Sequence, residues 1–372
     1  VLRQEIAHSE TIVVKVGSRI LTSQEDVPQS GRMRSLVDSL ATLMRSGKRV
    51  LLVSSGAIAH GMRAFRLKKR PSTIPVQQAC ASIGQIRLMN AYDACFTRHR
   101  IPIGQVLLTW DDLRDKERYL NLRNTLFTLI DCGAVPIINE NDSVGVEEIR
   151  FGENDTLAAQ ISLLVQADLF VNLTDINGLY DADPSMNPNA RHIPLVENIT
   201  AAVHGFASGK AGAMSVGGMA TKLRAAEIVT KAGIIALIGD GYHRTLLETL
   251  SDPRFGTLFL PNAKKMSSRH RWIAFTGQPG GALVIDDGAA RAIVKDGKSL
   301  LPAGVRKVSG SFDVGAMVDI QNERKQTVAR GLVNYSSEEA QKIAGCKTVD
   351  IAQRIGQKTF DEIVHRDNLV VL

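Results

Sequence analysis

Three glycine-containing turns carry the residue types that hold an anion. VVKVGSR at 13–19, LVSSGAIAHG at 52–61 and SVGGMATK at 215–222 each read as the passage from a strand into a helix. That passage aims backbone N–H groups and a helix N-terminus at a phosphate or carboxylate. None of the three is a GxxxxGK[ST] or a GxGxxG, so neither a P-loop nor a dinucleotide fingerprint is present. Lys15 is the next-to-last residue of the strand before the first turn, where a compact cation is costly to bury unless an anion neutralises it. The plainer alternative is a strand-end lysine whose stem carries its charge out to water. Lys222 follows the glycine pair at the start of a helix, where the positive end of the dipole disfavours it. An anionic ligand would remove that penalty, and an exposed first-turn lysine is the competing reading.

Around these turns stands a dense set of amides and carboxylates. Asn139, Glu140, Asn141 and Asp142 follow one strand, Glu153, Asn154 and Asp155 precede a helix, and Thr174 and Asp175 follow another strand. Taken singly, each is an ordinary loop residue, and Asp155 serves as a helix N-cap with no further duty. Together they fall at the carboxyl ends of strands, where open α/β sheets bind their ligands. Other residue types lead nowhere. His60, His99, His192 and His204 lack metal-ligand spacing, and Ser54 and Ser55 lack the GxSxG context, so neither a metal cage nor an acyl enzyme is expected. Trp110 and Trp272 read as packing or interface residues.

The elements that must position these groups follow from periodicity. Short β-branched runs at Thr11 to Val16, Val50 to Ser54, Gly104 to Leu108, Val135 to Asn139, Leu169 to Leu173 and Ile234 to Ile238 predict strands. Between them lie helical segments, of which Arg118 to Cys132, Asp155 onward, and Met219 to Ala232 are the clearest. Alternation of this kind predicts βαβ units around a largely parallel sheet. Near Pro261 to Gly281 the text changes to a basic patch and then closely spaced glycines and a proline, which marks a domain boundary. Beyond it, LVID, VRKVSG, AMVDI and ARGLVNY predict short strands, with one short helix near Ser337 to Ala344, and so a compact β-rich barrel.

Composition narrows the class further. The 372 residues suffice for two or three domains, and 44% apolar against 22% charged residues is a globular balance, neither disordered nor fibrous. No apolar run reaches the ~18 residues of a membrane span, and the first ten residues lack a signal-like stretch. Four scattered cysteines, at 80, 95, 132 and 346, predict a reducing cytoplasm as the simplest home. The net charge of +7 invites a nucleic-acid reading, but its distribution argues against it. Residues 1–259 hold 28 basic and 26 acidic side chains and residues 277–372 hold 13 and 12; most of the excess is one patch, Lys264, Lys265, Arg269 and Arg271. A patch so short reads as a solvated linker.

In order and spacing, VVKVGS, SSGAIAHG, VPIINENDSV, FGENDTLAA, LTDINGLYDADP and VGGMATKLRAA resemble the glutamate 5-kinase family of the amino acid kinase superfamily, and residues 277–372 resemble its PUA domain. The resemblance implies a three-layer αβα sandwich with a mainly parallel sheet over residues 8–260, a basic linker at 261–276, and a small β-rich PUA barrel from 277 to 372. It implies transfer of the γ-phosphoryl group of ATP, accompanied by Mg2+, to the side-chain carboxylate of L-glutamate. Carried over, Lys15 and Lys222 flank the migrating group and Asp155 orients them. Ser55, Asp142 and Asn154 hold glutamate, with Asn139 and Asn141 shaping its pocket. Thr174, Asp175 and the segment Val216, Gly217, Gly218, Met219, Ala220, Thr221 and Lys222 line the nucleotide site, with Lys15 also reaching ATP. No protein-held metal is implied. Members are commonly inhibited by proline and assemble as dimers or tetramers. Three positions depart from the family pattern: Glu153 replaces a common Asp, Val216 a Thr, and Arg19 a small residue. The alternatives are a related carboxylate kinase acting on aspartate or N-acetylglutamate, and an RNA-binding role for the barrel, which its even charge disfavours.

Overall fold

The computed structural model describes residues 2–21, 31–145, 154–207, 218–261, 270, 272–276 and 278–372. Glu153, Val216 and Gly217 lie outside the described residues, as do Lys264, Lys265, Arg269 and Arg271 of the basic patch. Two compact units form, the first from Val1–Leu113 and Glu117–Lys265, the second chiefly from Met266–Leu372.

Among the described residues, ten short strands belong to the first unit: β1 (Thr11–Val16), β2 (Arg49–Ser54), β3 (Ile103–Leu108), β4 (Val135–Glu140), β5 (Leu169–Thr174), β6 (Leu179–Tyr180), β7 (His192–Ile193), β8 (Leu195–Val196), β9 (Ile235–Asp240) and β10 (Thr257–Phe259). Eight of them make one sheet in the order β3-β4-β2-β1-β5-β9-β10-β8, and β6 pairs with β7 apart from it. From β3 to β9 every pairing is parallel, while β10 runs antiparallel to β9 and carries β8 beside it. Strands β1, β4 and β5 are buried along their whole length, as a parallel sheet covered on both faces requires.

Side chains alternate between those faces. Ile12, Val14 and Val16 of β1, Val50 and Leu52 of β2, and Val135 and Ile137 of β4 join one core with the helices Gly31–Arg45 and Ile74–Thr97. The opposite parity contains Val13 and Lys15. The β1–β5 register sets Lys15 beside Asn172, and the β1–β2 register sets it beside Val53. The helices Asn154–Leu164 and Met219–Lys231 pack together over this second face. Lys116–Asp131, the clearest helix in the sequence, ends before Gly133, whose φ of +73° supplies the left-handed stop.

Two helices meet unusually closely. A Cβ on Gly61, in the helix Ala57–Ala64, would overlap the carbonyl of Cys80, and one on Gly84, in Ile74–Thr97, would overlap the carbonyl oxygen of Ala57. Glycine on both sides thus lets backbone touch backbone.

In the second unit β11 (Gly281–Ile285), β12 (Val305–Gly310), β13 (Met317–Gln321), β14 (Thr327–Leu332) and β15 (Leu369–Val371) form a five-stranded sheet in the order β12-β11-β13-β14-β15. Only β11 and β13 run parallel within it. The single short helix expected here is joined by two others, Asp287–Val294 and Ile351–Ile355. Gly288 in the first turn argues against the former by propensity, yet Asp286 caps it by accepting from the Ala289 N–H. All four cysteines are free thiols, and among the described residues no helix is long and apolar enough to cross a membrane.

Gly84→Ala should destabilise the protein by about 1 to 3 kcal/mol through forced separation of the two helices. Gly205→Ala, in the helix Ala201–Ala207 with open space around the added methyl, should be neutral or stabilising. Chemical denaturation of the two variants side by side checks the contrast.

Candidate active site

Lys15 emerges from β1 into the second face of the sheet and meets Asp155, from the first turn of the helix Asn154–Leu164. Lys15 Nζ lies 2.5 Å from Asp155 Oδ1, and Lys222 Nζ lies 3.3 Å from Asp155 Oδ2. All three are buried: the lysines are 6% exposed and Asp155 not at all. The carboxylate is further held by Asn172 Nδ2 at 3.0 Å on Oδ1 and by the Thr221 hydroxyl at 2.8 Å on Oδ2. Both alternatives raised for the lysines, an exposed strand end and an exposed first turn, are therefore set aside. The N-cap reading of Asp155 is also corrected. The helix begins one residue earlier, and the carboxylate turns to the lysines instead of to its own backbone.

Burial alone would raise the Asp155 pKa, but the charges of Lys15 and Lys222 and the hydrogen bonds from Lys15 and Thr221 overcome it. Its pKa is held well below the usual carboxylate range. Burial lowers the Lys222 ammonium, Asp155 opposes that shift, and Lys15 reinforces it. Two buried ammonium groups around one carboxylate leave a net positive centre at the carboxyl end of β1.

Asn154 points the other way from its neighbour. Its Nδ2 donates to Ser55 Oγ at 2.8 Å and to Asn139 Oδ1 at 3.0 Å, and Asn139 Nδ2 donates to Gln85 Oε1 at 3.0 Å. Asn139 has the parity of Val135 and Ile137, so it belongs to the face covered by the Ile74–Thr97 helix, which supplies Gln85. The same helix supplies Tyr92, whose hydroxyl pairs with Ser54 Oγ at 2.9 Å. Asp142 is 5% exposed in the loop after β4, and Asn141 anchors that loop, its N–H donating to Leu108 O and its carbonyl accepting from Val144 and Gly145. Gly56, with φ of +110°, turns the chain from β2 into the next helix and keeps Ser55 at the sheet end.

Thr174 ends β5, and its hydroxyl donates to Asp175 Oδ1 at 3.1 Å. Arg19 Nη1 reaches Asp175 Oδ2 at 2.7 Å, which ties the departure at Arg19 to a residue expected to face the nucleotide. Burial would raise the Asp175 pKa, and the hydrogen bonds from Arg19 and Thr174 prevail and lower it. Gly218, extended, precedes the helix that carries Met219, Ala220, Thr221 and Lys222. The structure thus gathers Lys15, Asp155, Thr221 and Lys222 into one contact network, and Ser55, Asn139 and Asn154 into a second.

Sequence reasoning missed Asn172 and Gln85. Asn172 had a signal, a lone amide inside the apolar run LFVNLT in register with Lys15. Gln85 had none, being one of several polar residues in a 24-residue helix.

The amino acid kinase family model matches residues 10–240, and the PUA domain model matches residues 281–355. The glutamate 5-kinase of Thermoanaerobacter sp. (strain X514) is 46% identical over 97% of both chains. The chain belongs to the amino acid kinase family. The glutamate 5-kinase of Pelobacter propionicus is 43% identical over the full length of each chain. Among solved structures, carbamate kinase from Giardia lamblia bound to AMP-PNP aligns with a TM-score of 0.47 at 14% identity, covering 68% of this chain and 99% of that one. The kinase-family match thus precedes the PUA match along the chain, as expected from the sequence.

Asp155→Asn leaves two buried ammonium groups without their counter-charge and should cost about 3 to 5 kcal/mol of stability at neutral pH. The sign with pH follows from the lowered pKa. Asp155 stabilises the fold fully above its unfolded value near 3.8, and this contribution is lost as pH falls through the lower folded value. Unfolding free energies measured from pH 6 downward should show the variant's deficit shrinking only below about pH 4.

Proposed function

We propose that the protein transfers the γ-phosphoryl group of ATP to the side-chain carboxylate of L-glutamate, forming L-glutamyl 5-phosphate and ADP, the first step of proline biosynthesis. The observation that carries this reading is the buried Lys15–Asp155–Lys222 centre at the carboxyl end of the sheet. The glutamate 5-kinase names of the full-length relatives give the acceptor.

The reaction asks little covalent work of the protein. A glutamate carboxylate oxygen attacks the γ-phosphorus as the bond to the bridging oxygen of ADP breaks, so one P–O bond forms while another is lost. The acceptor is already ionised at neutral pH, and no general base is needed. Charge grows on the equatorial and bridging oxygens, and the two ammonium groups are the preorganised partners for it. Asp155 pairs with both and fixes where they point. Ser55, Asn139, Asn141, Asp142 and Asn154 form the amino-acid pocket, and Thr174, Asp175 and Gly218 to Lys222 the nucleotide side.

Both oxygens of Asp155 are occupied by cations and hydroxyl or amide donors, so this carboxylate does not fit a metal ligand. Magnesium brought in as part of the MgATP substrate would supply further neutralisation of phosphate charge.

ADP release measured with L-glutamate, L-aspartate and N-acetyl-L-glutamate tests the acceptor; turnover with glutamate no better than with the other two would refute it. Lys222→Ala should lower turnover by on the order of 100-fold or more, as loss of a preorganised donor costs about 3 to 4 kcal/mol. Because the Lys222 ammonium titrates below the ordinary 10.5, the alkaline fall in kcat/KM for ATP should begin below that pH. Lys222→Arg, charged throughout, should move that fall to higher pH.

A further inference from the structure

The amides of Gln85, Asn139 and Asn154 form a row whose polarity is set by one backbone group. The Glu140 N–H can only donate, and it donates to Asn139 Oδ1 at 3.0 Å. Asn139 Nδ2 must then face Gln85, and the Gln85 atom that receives it must be the acceptor, Oε1. On the near side, Asn139 Oδ1 also accepts from Asn154 Nδ2, which fixes the third amide in turn. The orientations therefore follow from the donor inventory of the row.

Two atoms remain, one at each end. Gln85 Nε2 and Asn154 Oδ1 are buried and have no hydrogen-bond partner among the described residues, in side chains of residues 8% and 2% exposed. Such atoms are costly to bury unless something pairs with them. One end offers a donor and the other an acceptor. That is the complement of an α-amino acid headgroup, whose carboxylate accepts and whose ammonium donates.

The direction of the row follows from its neighbours. Asn154 adjoins Asp155 and hence the ammonium pair where the side-chain carboxylate reacts. Gln85 stands at the far end. One turn before it, Ser82 Oγ pairs with Ser143 Oγ at 2.8 Å, beside Asp142, so this helix face lies against the loop after β4. We infer that Gln85 is a specificity-determining residue whose Nε2 donates to the α-carboxylate of the amino-acid acceptor, while Asn154 Oδ1 accepts from its α-ammonium. The inference rests on the glutamate reading above and adds the residue that tells an α-amino acid from a simple carboxylate.

Binding to the full-length protein, measured by competition against L-glutamate, separates the possibilities. The ligands are L-glutamate, glutarate, which lacks the amine, and 4-aminobutyrate, which lacks the α-carboxylate. Gln85→Met should weaken L-glutamate and glutarate by about ten-fold or more, the scale of a lost hydrogen bond to a charged group. It should leave 4-aminobutyrate and the KM for ATP within about two-fold. Gln85→Glu keeps the acceptor for Asn139 and replaces the donor by a charged oxygen, so it should show the same selective loss and decides the matter if the Met variant does not fold. Equal weakening of all three ligands, or none, in a folded variant overturns the role of Gln85 while wild-type turnover of L-glutamate leaves the kinase reading standing. A wild type inactive on L-glutamate overturns both.

Discussion

A carboxylate buried between two buried ammonium groups is the constraint around which the first unit is arranged. Removing three charges from water is expensive, and attraction within the trio offsets that only if geometry is held closely and the remaining lone pairs are filled. Asn172 and Thr221 fill them. Taken by itself the trio carries one net positive charge, with Asp175 the further carboxylate that acts on Lys222, in a place water barely reaches. An anion that arrives there meets a field already built, and reorganisation that would slow the same chemistry in water is largely complete beforehand.

Strand parity and register do the assembling. Because β1 and β5 run parallel and in step, Lys15 and Asn172 stand side by side on one face, where the Asn154–Leu164 helix can bring a carboxylate to both. Asn139 belongs to the opposite face. At the end of the sheet the consecutive residues Asn154 and Asp155 serve the two faces separately, one joining the amides and the other the ammonium groups. A two-residue step thus couples the place where an acceptor would be held to the place where phosphate would move.

Much of this was legible in the sequence. The six parallel strands β1 to β5 and β9 were readable to within a residue or two, because buried parallel strands are written as β-branched apolar runs, whereas β6, β7, β8 and β10, of two or three residues each, leave no such run. Lys15 and Lys222 stood out as cations in costly places, and the polar residues clustered at strand ends. What could not be read was pairing. By local preference alone Asp155 reads as an N-cap; its tie to the lysines was implied only by the family resemblance, and tertiary structure brings the three into contact. Gln85 is distinguished by a neighbour 54 residues away. The helix Asp287–Val294 was hidden by Gly288, a local cost that packing and the Asp286 cap override.

The contact of Gly61 and Gly84 with carbonyls of the facing helix has a mechanical side. Where side chains interdigitate, one helix can ride over another by repacking rotamers, and part of any displacement is absorbed. Bare backbone offers no such cushion. The segment after Ser55 and the segment bearing Gln85 are therefore held backbone to backbone, with no side chain between them to repack.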